Sequence, residues 1–140
     1  MGFTRAELDS YREATLPDLL GPGVRLLFVG INPGLWTAAA QAHFARRGNR
    51  FYPALFRAGI VDRLIDASAG YSADDRAHLL SRGIGITNLV ARATPRADEL
   101  SPDELVAGAR ELVGRVADID AKVVAYVGDL RVSSPFLDLV

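Results

Sequence analysis

The sequence feature with the clearest chemical potential is an asparagine on a loop bounded by glycines. Asn32 lies in the segment Gly30-Ile31-Asn32-Pro33-Gly34, directly after a short apolar run that is typical of a buried strand. The two glycines let the backbone approach a ligand closely, and Pro33 fixes the turn that presents the Asn32 amide. An amide is a poor general base, but it can orient a water molecule and hydrogen-bond a ligand. The alternative is that Asn32 only closes an Asx turn.

A cluster of arginines follows this loop in a stretch without an acidic residue. Its members are Arg46, Arg47, Arg50 and Arg57. Such a local patch can bind phosphates although the whole chain carries a net charge of −1. The alternative is a solvated helix face that binds nothing.

Strands and helices are predicted to alternate along the chain. The apolar runs predict strands at about 24–29, 84–89 and 122–127. Capping residues and glycine stops predict helices at about 5–14, 49–58, 73–81 and 102–116. Strands separated by helices indicate a largely parallel sheet, with the Asn32 loop at its carboxyl edge.

Composition bounds the kind of protein and of site. A chain of 140 residues, 49% of them hydrophobic, suits a single domain, residues 1–140. The absence of cysteine excludes disulfides and thiolate sites, and His43 and His78 are too few for a histidine-rich metal centre, so we expect no metal and no cofactor. No apolar run approaches the roughly 18 residues of a membrane span, and no secretory pattern begins the chain, which predicts a cytoplasmic protein.

Three segments in a fixed order point to a family. They are Gly30–Gly34, Asn49-Arg50-Phe51-Tyr52, and Gly83-Ile-Gly-Ile-Thr-Asn-Leu-Val-Ala-Arg-Ala-Thr94. Together they resemble the mismatch-specific uracil/thymine DNA glycosylases of the uracil-DNA glycosylase superfamily, from about residue 24 to about residue 129. The resemblance implies an α/β fold, a three-layer α/β/α sandwich with a short, largely parallel central sheet. It also implies a monomer that acts on double-stranded DNA containing a uracil or thymine mismatch.

The resemblance assigns roles around the flipped base. Asn32 matches the asparagine that positions water, and Phe44 matches the aromatic residue that stacks on the base; taken alone, a single Phe is more often part of a core. The main chain of Ile31 matches the group that reads the uracil edge, within the pocket loop that also contains Gly30, Pro33 and Gly34. Thr37 matches the position near the pyrimidine C5, where its methyl group would crowd thymine; it could equally cap a turn.

Other candidate residues have weaker assignments. His43 precedes Phe44 and could contact phosphate or the base, or lie on the surface. Asn49 is a candidate pocket residue and more plainly a helix N-cap. Arg50 either supports the loop or contacts phosphate, and Arg46, Arg47 and Arg50 are the candidate DNA-binding residues. Asn88 is a candidate for a side chain that faces the pocket.

The predicted function is hydrolysis of the N-glycosidic bond of uracil mispaired with guanine in DNA, with thymine or related lesions as further substrates. Lys122 is the only lysine and lies outside the motifs, so neither a Schiff base nor strand cleavage is expected. The family continues with a helix, a strand and an Asn-Pro-Ser-Gly motif that inserts a side chain into DNA. This sequence ends at Val140 after Ser-Ser-Pro-Phe-Leu, which predicts a domain lacking its C-terminal part. The alternatives are a weakly active or inactive nucleic-acid or nucleotide-binding module, or a fragment that folds poorly alone.

Overall fold

Three short apolar segments form a parallel sheet with the first of them at its centre. The computed structural model describes residues 2–127. The strands are β1 (Leu26–Gly30), β2 (Ile84–Asn88) and β3 (Val123–Tyr126). Their order is β2-β1-β3, and β1 pairs in parallel with both neighbours. The predicted parallel sheet is confirmed, and all three strands direct their carboxyl ends to the same edge.

The helices flank this sheet. They are α1 (Arg5–Asp9), α2 (Leu35–Ala40), α3 (Phe51–Arg57), α4 (Ala73–Ser81) and α5 (Pro102–Ile119), with a 3-10 turn at Ala97–Glu99. Capping boxes begin α1 at Thr4 and α5 at Ser101, as the sequence predicts. The hydroxyl of Ser72 caps α4 by accepting the Asp75 N–H at 3.0 Å.

Alternate residues of β1 belong to two different hydrophobic cores. Phe28 packs into a core with α3 and α4, whereas Leu27 and Val29 pack into a second core with α5. Successive strand residues face opposite sides of a sheet, so a strand that is apolar on both sides must be covered on both. The sheet therefore lies between helices, which confirms the predicted α/β sandwich.

Two helices differ from the sequence prediction. Helix α1 ends at Asp9 rather than near residue 14, because the chain turns to pair with the segment after β2. There the Glu13 N–H donates to the Ala93 carbonyl, and Thr15 bridges Arg92 in antiparallel fashion. Helix α2 was not predicted, although Pro33 and Gly34 before an alanine-rich run are compatible with a helix start.

The predictions for the C-terminal end of the chain concern residues that the structure does not describe. The Ser-Ser-Pro-Phe-Leu segment and the proposed loss of a second motif lie outside the described residues. Within residues 2–127, no helix is long and apolar enough to cross a membrane.

Candidate active site

The Gly30–Gly34 loop leaves the carboxyl end of the central strand and is bound to the segment that follows β2. The carbonyls of Gly30, Ile31 and Pro33 accept backbone hydrogen bonds at 2.8, 2.9 and 3.2 Å. The donors are the N–H groups of Leu89, Val90 and Thr94. The loop therefore has a defined backbone before any ligand arrives, and this is the location that α/β folds commonly use for ligands.

The Asn32 amide is held in one orientation. Its Nδ2 donates to the carbonyl of Arg92 at 3.0 Å and to Oγ1 of Thr94 at 2.8 Å. A carbonyl can only accept, so the atom that faces it must be the amide nitrogen. Both N–H bonds of Asn32 are used inside the protein, and within residues 2–127 nothing donates to its Oδ1. Asn32 therefore contacts residues that follow β2, about 60 positions along the chain. It does not close a local Asx turn, which was the alternative interpretation of the sequence.

Asn88 brings a second amide to the same edge of the sheet. It is the register partner of Gly30 and is only 8% exposed. Its carbonyl accepts from Nη2 of Arg115 at 3.1 Å, but its side-chain amide has no hydrogen-bond partner within residues 2–127. No buried side-chain nitrogen or oxygen among residues 2–127 lacks a partner, so the Asn88 amide has access to solvent and is available to a ligand.

Phe44 lies over this edge on a strained turn. Its φ is 53°, a left-handed value that is uncommon for a residue with a side chain, and its ring centroid is 4.2 Å from that of Phe51. The Thr37 hydroxyl accepts the Ala45 N–H at 3.3 Å, and the Thr37 carbonyl accepts from Ala42. Thr37 thus holds the turn that presents Phe44, which agrees with the turn-capping alternative for its hydroxyl.

His43 is part of a buried polar cluster beneath this turn. The residue is 3% exposed, and its Nε2 lies 3.0 Å from the Pro17 carbonyl, which can only accept. Burial lowers the pKa of His43, although the Pro17 hydrogen bond and Asp18 oppose that change. The structure therefore places the ring inside the protein, and the alternative of a surface histidine is wrong.

Two tyrosines complete the cluster. The Tyr52 hydroxyl donates to the His43 carbonyl at 2.6 Å and contacts the Tyr71 hydroxyl at 2.6 Å. Burial raises the pKa of both tyrosines, so both hydroxyls remain protonated and able to donate. These contacts secure the chain just before Phe44.

The arginines line a cleft beside Phe44. The cleft has a volume of about 1150 Å³, and Phe44, Asn49 and Tyr52 contribute to its wall. The arginines that line it are Arg46, Arg47, Arg50 and Arg57. Asn49 Oδ1 accepts the Phe51 N–H at 2.9 Å, a local turn just before α3. The N-cap residue of α3 is Arg50 rather than Asn49, so the predicted N-cap position is wrong by one residue. Asn32 and Asn88 do not line this cleft, which meets the loop edge at Phe44.

The structure therefore divides the sequence-predicted residues into three groups. The loop residues Gly30, Ile31, Asn32, Pro33 and Gly34 lie at the carboxyl edge with Asn88 and Phe44. Thr37 and His43 are buried under the Phe44 turn. Arg46, Arg47, Asn49 and Arg50 lie in the adjoining cleft.

Sequence reasoning gave no role to the segment from Arg92 to Thr94, which orients Asn32. The Arg92 guanidinium donates to both carboxylate oxygens of Glu104 at 2.7 Å and to Glu13 at 2.7 Å. Hydrogen bonds from Arg92, and then from the Ser101 N–H, lower the pKa of Glu104 to about 2. Arg92 and Thr94 both belong to the third motif, so the sequence did single them out. Only the structure shows which groups they contact.

The sequence model of the Uracil DNA glycosylase superfamily matches residues 17–133. This chain belongs to that superfamily. The match includes the Asn32 loop, the Phe44 turn, the arginine cleft and the Arg92–Thr94 segment. Membership in the uracil DNA glycosylase superfamily indicates a DNA repair hydrolase that removes uracil by cleaving an N-glycosidic bond. Among residues 2–127, no group of three or more His, Asp or Glu side chains could hold a metal ion.

Proposed function

We propose that this protein is a monofunctional DNA glycosylase that hydrolyses the N-glycosidic bond of uracil mispaired with guanine. A base inside a duplex cannot be reached, so the nucleotide must first turn out of the stack into a pocket. The carboxyl edge of the sheet supplies that pocket. Superfamily membership and the two amides at this edge support the proposal.

Asn32 positions the water that attacks the sugar. Its two N–H bonds are engaged by Arg92 and Thr94, so Oδ1 is the atom available to accept a hydrogen from water. The water oxygen bonds to C1′ as the bond between C1′ and the base nitrogen breaks. The electron pair of that bond leaves with the uracil, which takes up the proton that the water loses. Because the sugar develops oxocarbenium character, the water needs orientation more than it needs a strong base.

The flipped uracil lies between Phe44 and the loop. Stacking on an aromatic ring contributes about 1–3 kcal/mol per base. The Ile31 carbonyl already accepts from Val90, so the Ile31 N–H is the main-chain group proposed to read the base. The unpartnered Asn88 amide is proposed to bond the uracil edge. Such donors stabilise the negative charge that builds on the departing base.

The arginine cleft is proposed to hold the DNA strand. Arg46, Arg47 and Arg50 are exposed and line a cleft whose wall includes Phe44. Phosphates bound there would flank a nucleotide turned towards Phe44. Arginine binds phosphate through a planar set of donors, which suits this task.

The orientation of the Asn32 amide is the observation on which this proposal depends. We expect Asn32→Ala to lower the single-turnover rate on a uracil–guanine duplex by about 10²–10³-fold, the scale for removing one preorganised polar group. DNA affinity should change little, because Asn32 contacts water rather than phosphate. Ser81→Ala, which removes a hydroxyl bonded within α4, is the control and should retain the rate. Excision by Asn32→Ala at the unmutated rate would exclude the catalytic role.

The arginine cleft by itself also favours a second function, nucleic-acid binding without excision. The cleft does not include Asn32, so phosphate binding does not require a working catalytic loop. A fluorescence binding assay with uracil-containing and uracil-free duplexes separates the two. Binding of both duplexes with no base release from either would favour the binding module.

A further inference from the structure

Thr94 is connected to Asn32 by a hydrogen-bond chain with a fixed direction. The Thr94 hydroxyl lies 2.7 Å from the Arg96 carbonyl and donates to it, since a carbonyl can only accept. The single hydrogen of this hydroxyl is therefore used. Its oxygen can only accept from Asn32, 2.8 Å away, and this requires the amide nitrogen on that side.

The chain opposes rotation of the amide by half a turn. A flipped Asn32 would place Oδ1 against the Arg92 carbonyl, where two acceptors would repel each other. It would also bring Oδ1 next to the Thr94 hydroxyl, whose only hydrogen is already donated to the Arg96 carbonyl, so Oδ1 would find no donor there. Thr94 is 3% exposed, so water has little access to replace its hydroxyl.

Thr94 is itself held in place. Its N–H donates to the Pro33 carbonyl at 3.2 Å, which joins it to the loop that contains Asn32. Two residues earlier, the Arg92 side chain is bound to Glu104 on α5 and to Glu13. The acceptors of the Asn32 amide thus belong to a segment anchored on two sides.

We infer that Thr94 is a positioning residue whose hydroxyl directs Asn32 Oδ1 towards the attacking water. This inference rests on the proposed function, and it assigns Thr94 no contact with DNA. Loss of the hydroxyl leaves one Asn32 N–H without its acceptor and allows the amide to adopt other orientations. The water is then held in the attacking position for a smaller fraction of the time.

Replacement of Thr94 by valine and by serine tests the hydroxyl itself. Thr94→Val keeps the shape and should lower the single-turnover rate by about 10- to 100-fold, because misplacing a reacting group by about 1 Å costs up to about 10²-fold. Thr94→Ser keeps the hydroxyl and should retain most of the rate. DNA affinity should be unchanged in both. In an Asn32→Ala background, Thr94→Val should cause no further loss, since the group it orients is absent.

Thr87→Val is the matched control for general destabilisation. Thr87 is also fully buried, and its hydroxyl accepts from Nη1 of Arg115 at 2.6 Å rather than from Asn32. We expect it to lower the melting temperature but to retain the excision rate at a temperature where all variants are folded. Equal rate losses in the two valine variants would overturn the inference.

A spectroscopic measurement separates failure of this inference from failure of the proposed function. The two side-chain N–H protons of Asn32, assigned by their disappearance in Asn32→Ala, should give separate, exchange-protected NMR signals. Thr94→Val should shift them and speed their exchange, whereas Thr94→Ser should not. If the unmutated chain excises nothing but the signals respond in this way, the glycosylase proposal is wrong and the positioning role stands. Signals unchanged in Thr94→Val would overturn the positioning role.

Discussion

The side-chain oxygen of Asn88 lies so close to Gly30 that any larger residue at position 30 would have to displace it. A Cβ built on Gly30 would stand 2.6 Å from Asn88 Oδ1 and 3.6 Å from Cζ of Phe44. Glycine is thus favoured here by the close approach of Asn88 and not by its φ, which is not positive. The pairing of β1 with β2 thus brings Gly30 and Asn88, both proposed pocket residues, into van der Waals contact.

Gly30→Ala should therefore impair the pocket more than the fold. The new methyl group would push the Asn88 amide or the Phe44 ring out of place, so we expect excision and uracil binding to fall at least about tenfold, the scale for a misplaced group in a site. Asn88→Ala removes the atom with which the new methyl group would clash. The double variant Gly30→Ala, Asn88→Ala should therefore have the same melting temperature as Asn88→Ala alone. Gly114→Ala is the control, because Gly114 is exposed on α5 and nothing lies within 4 Å of its new Cβ. Full activity of Gly30→Ala would argue against a pocket at this edge.

Variants of Thr37 can distinguish the effect of its methyl group on base selection from the effect of its hydroxyl group on the Phe44 turn. If its methyl group crowds C5, thymine opposite guanine should react more slowly than uracil, and Thr37→Ser should narrow that difference; one methyl group in a pocket changes binding by about 1–3 kcal/mol. Thr37→Val keeps the bulk but loses the hydrogen bond from Ala45. We expect it to slow excision of both bases alike by loosening the Phe44 turn. Single-turnover rates on the two mismatches check both outcomes, and a serine variant with an unchanged ratio would remove Thr37 from base selection.

The arginine cleft predicts a specific salt dependence of DNA binding. Arg46→Gln and Arg50→Gln should each weaken binding at low salt, and each should reduce the slope of log K against log salt by about 0.9 if it removes one phosphate contact. Uracil-containing and uracil-free duplexes should be affected equally, since phosphates carry no base identity. Arg110→Gln, an exposed arginine on α5, serves as the control. Slopes that match the control would place the DNA elsewhere.

Glu104 predicts how stability depends on pH. Its pKa falls from 4.5 to about 2 on folding, chiefly through the Arg92 side chain. The stabilisation is therefore fully present above the unfolded pKa and is lost as pH falls from 4.5 towards about 2. Urea unfolding of the unmutated chain and of Glu104→Gln should show a constant difference above about pH 5.5 that shrinks below pH 4.5. A difference independent of pH over this interval would contradict the Arg92–Glu104 interaction.

Local rules explain why the sheet and most helix starts follow from the sequence. The strands β1 and β2 are continuous apolar segments ended by polar or glycine residues, and Ser101, Pro102 and Glu104 form a capping pattern that needs no tertiary contact. The end of α1 did not follow, because the backbone of Glu13 is used by Ala93 far away in sequence. A long-range hydrogen bond of this kind overrides helix propensity and leaves no local signal.

The candidate site shows the same division. Asn32, Asn88 and Phe44 were found through their motifs, and the parallel sheet explains why the ends of β1 and β2 meet. Whether the His43 ring faces solvent was left open, because a histidine beside a phenylalanine has no local pattern that distinguishes core from surface. The role of Thr94 depends on a hydrogen bond that spans 62 residues, and residue spacing alone does not encode such a contact.

This separation along the chain determines when the site can form during synthesis. The acceptors for the Asn32 amide come 60 and 62 residues after it. A nascent chain that has been translated only as far as α4 contains the complete Gly30–Gly34 loop but neither of these acceptors. The amide therefore acquires its orientation only once the third motif has been made and β2 has paired with β1, so a truncated translation product ending before Arg92 would carry the loop without an aligned Asn32.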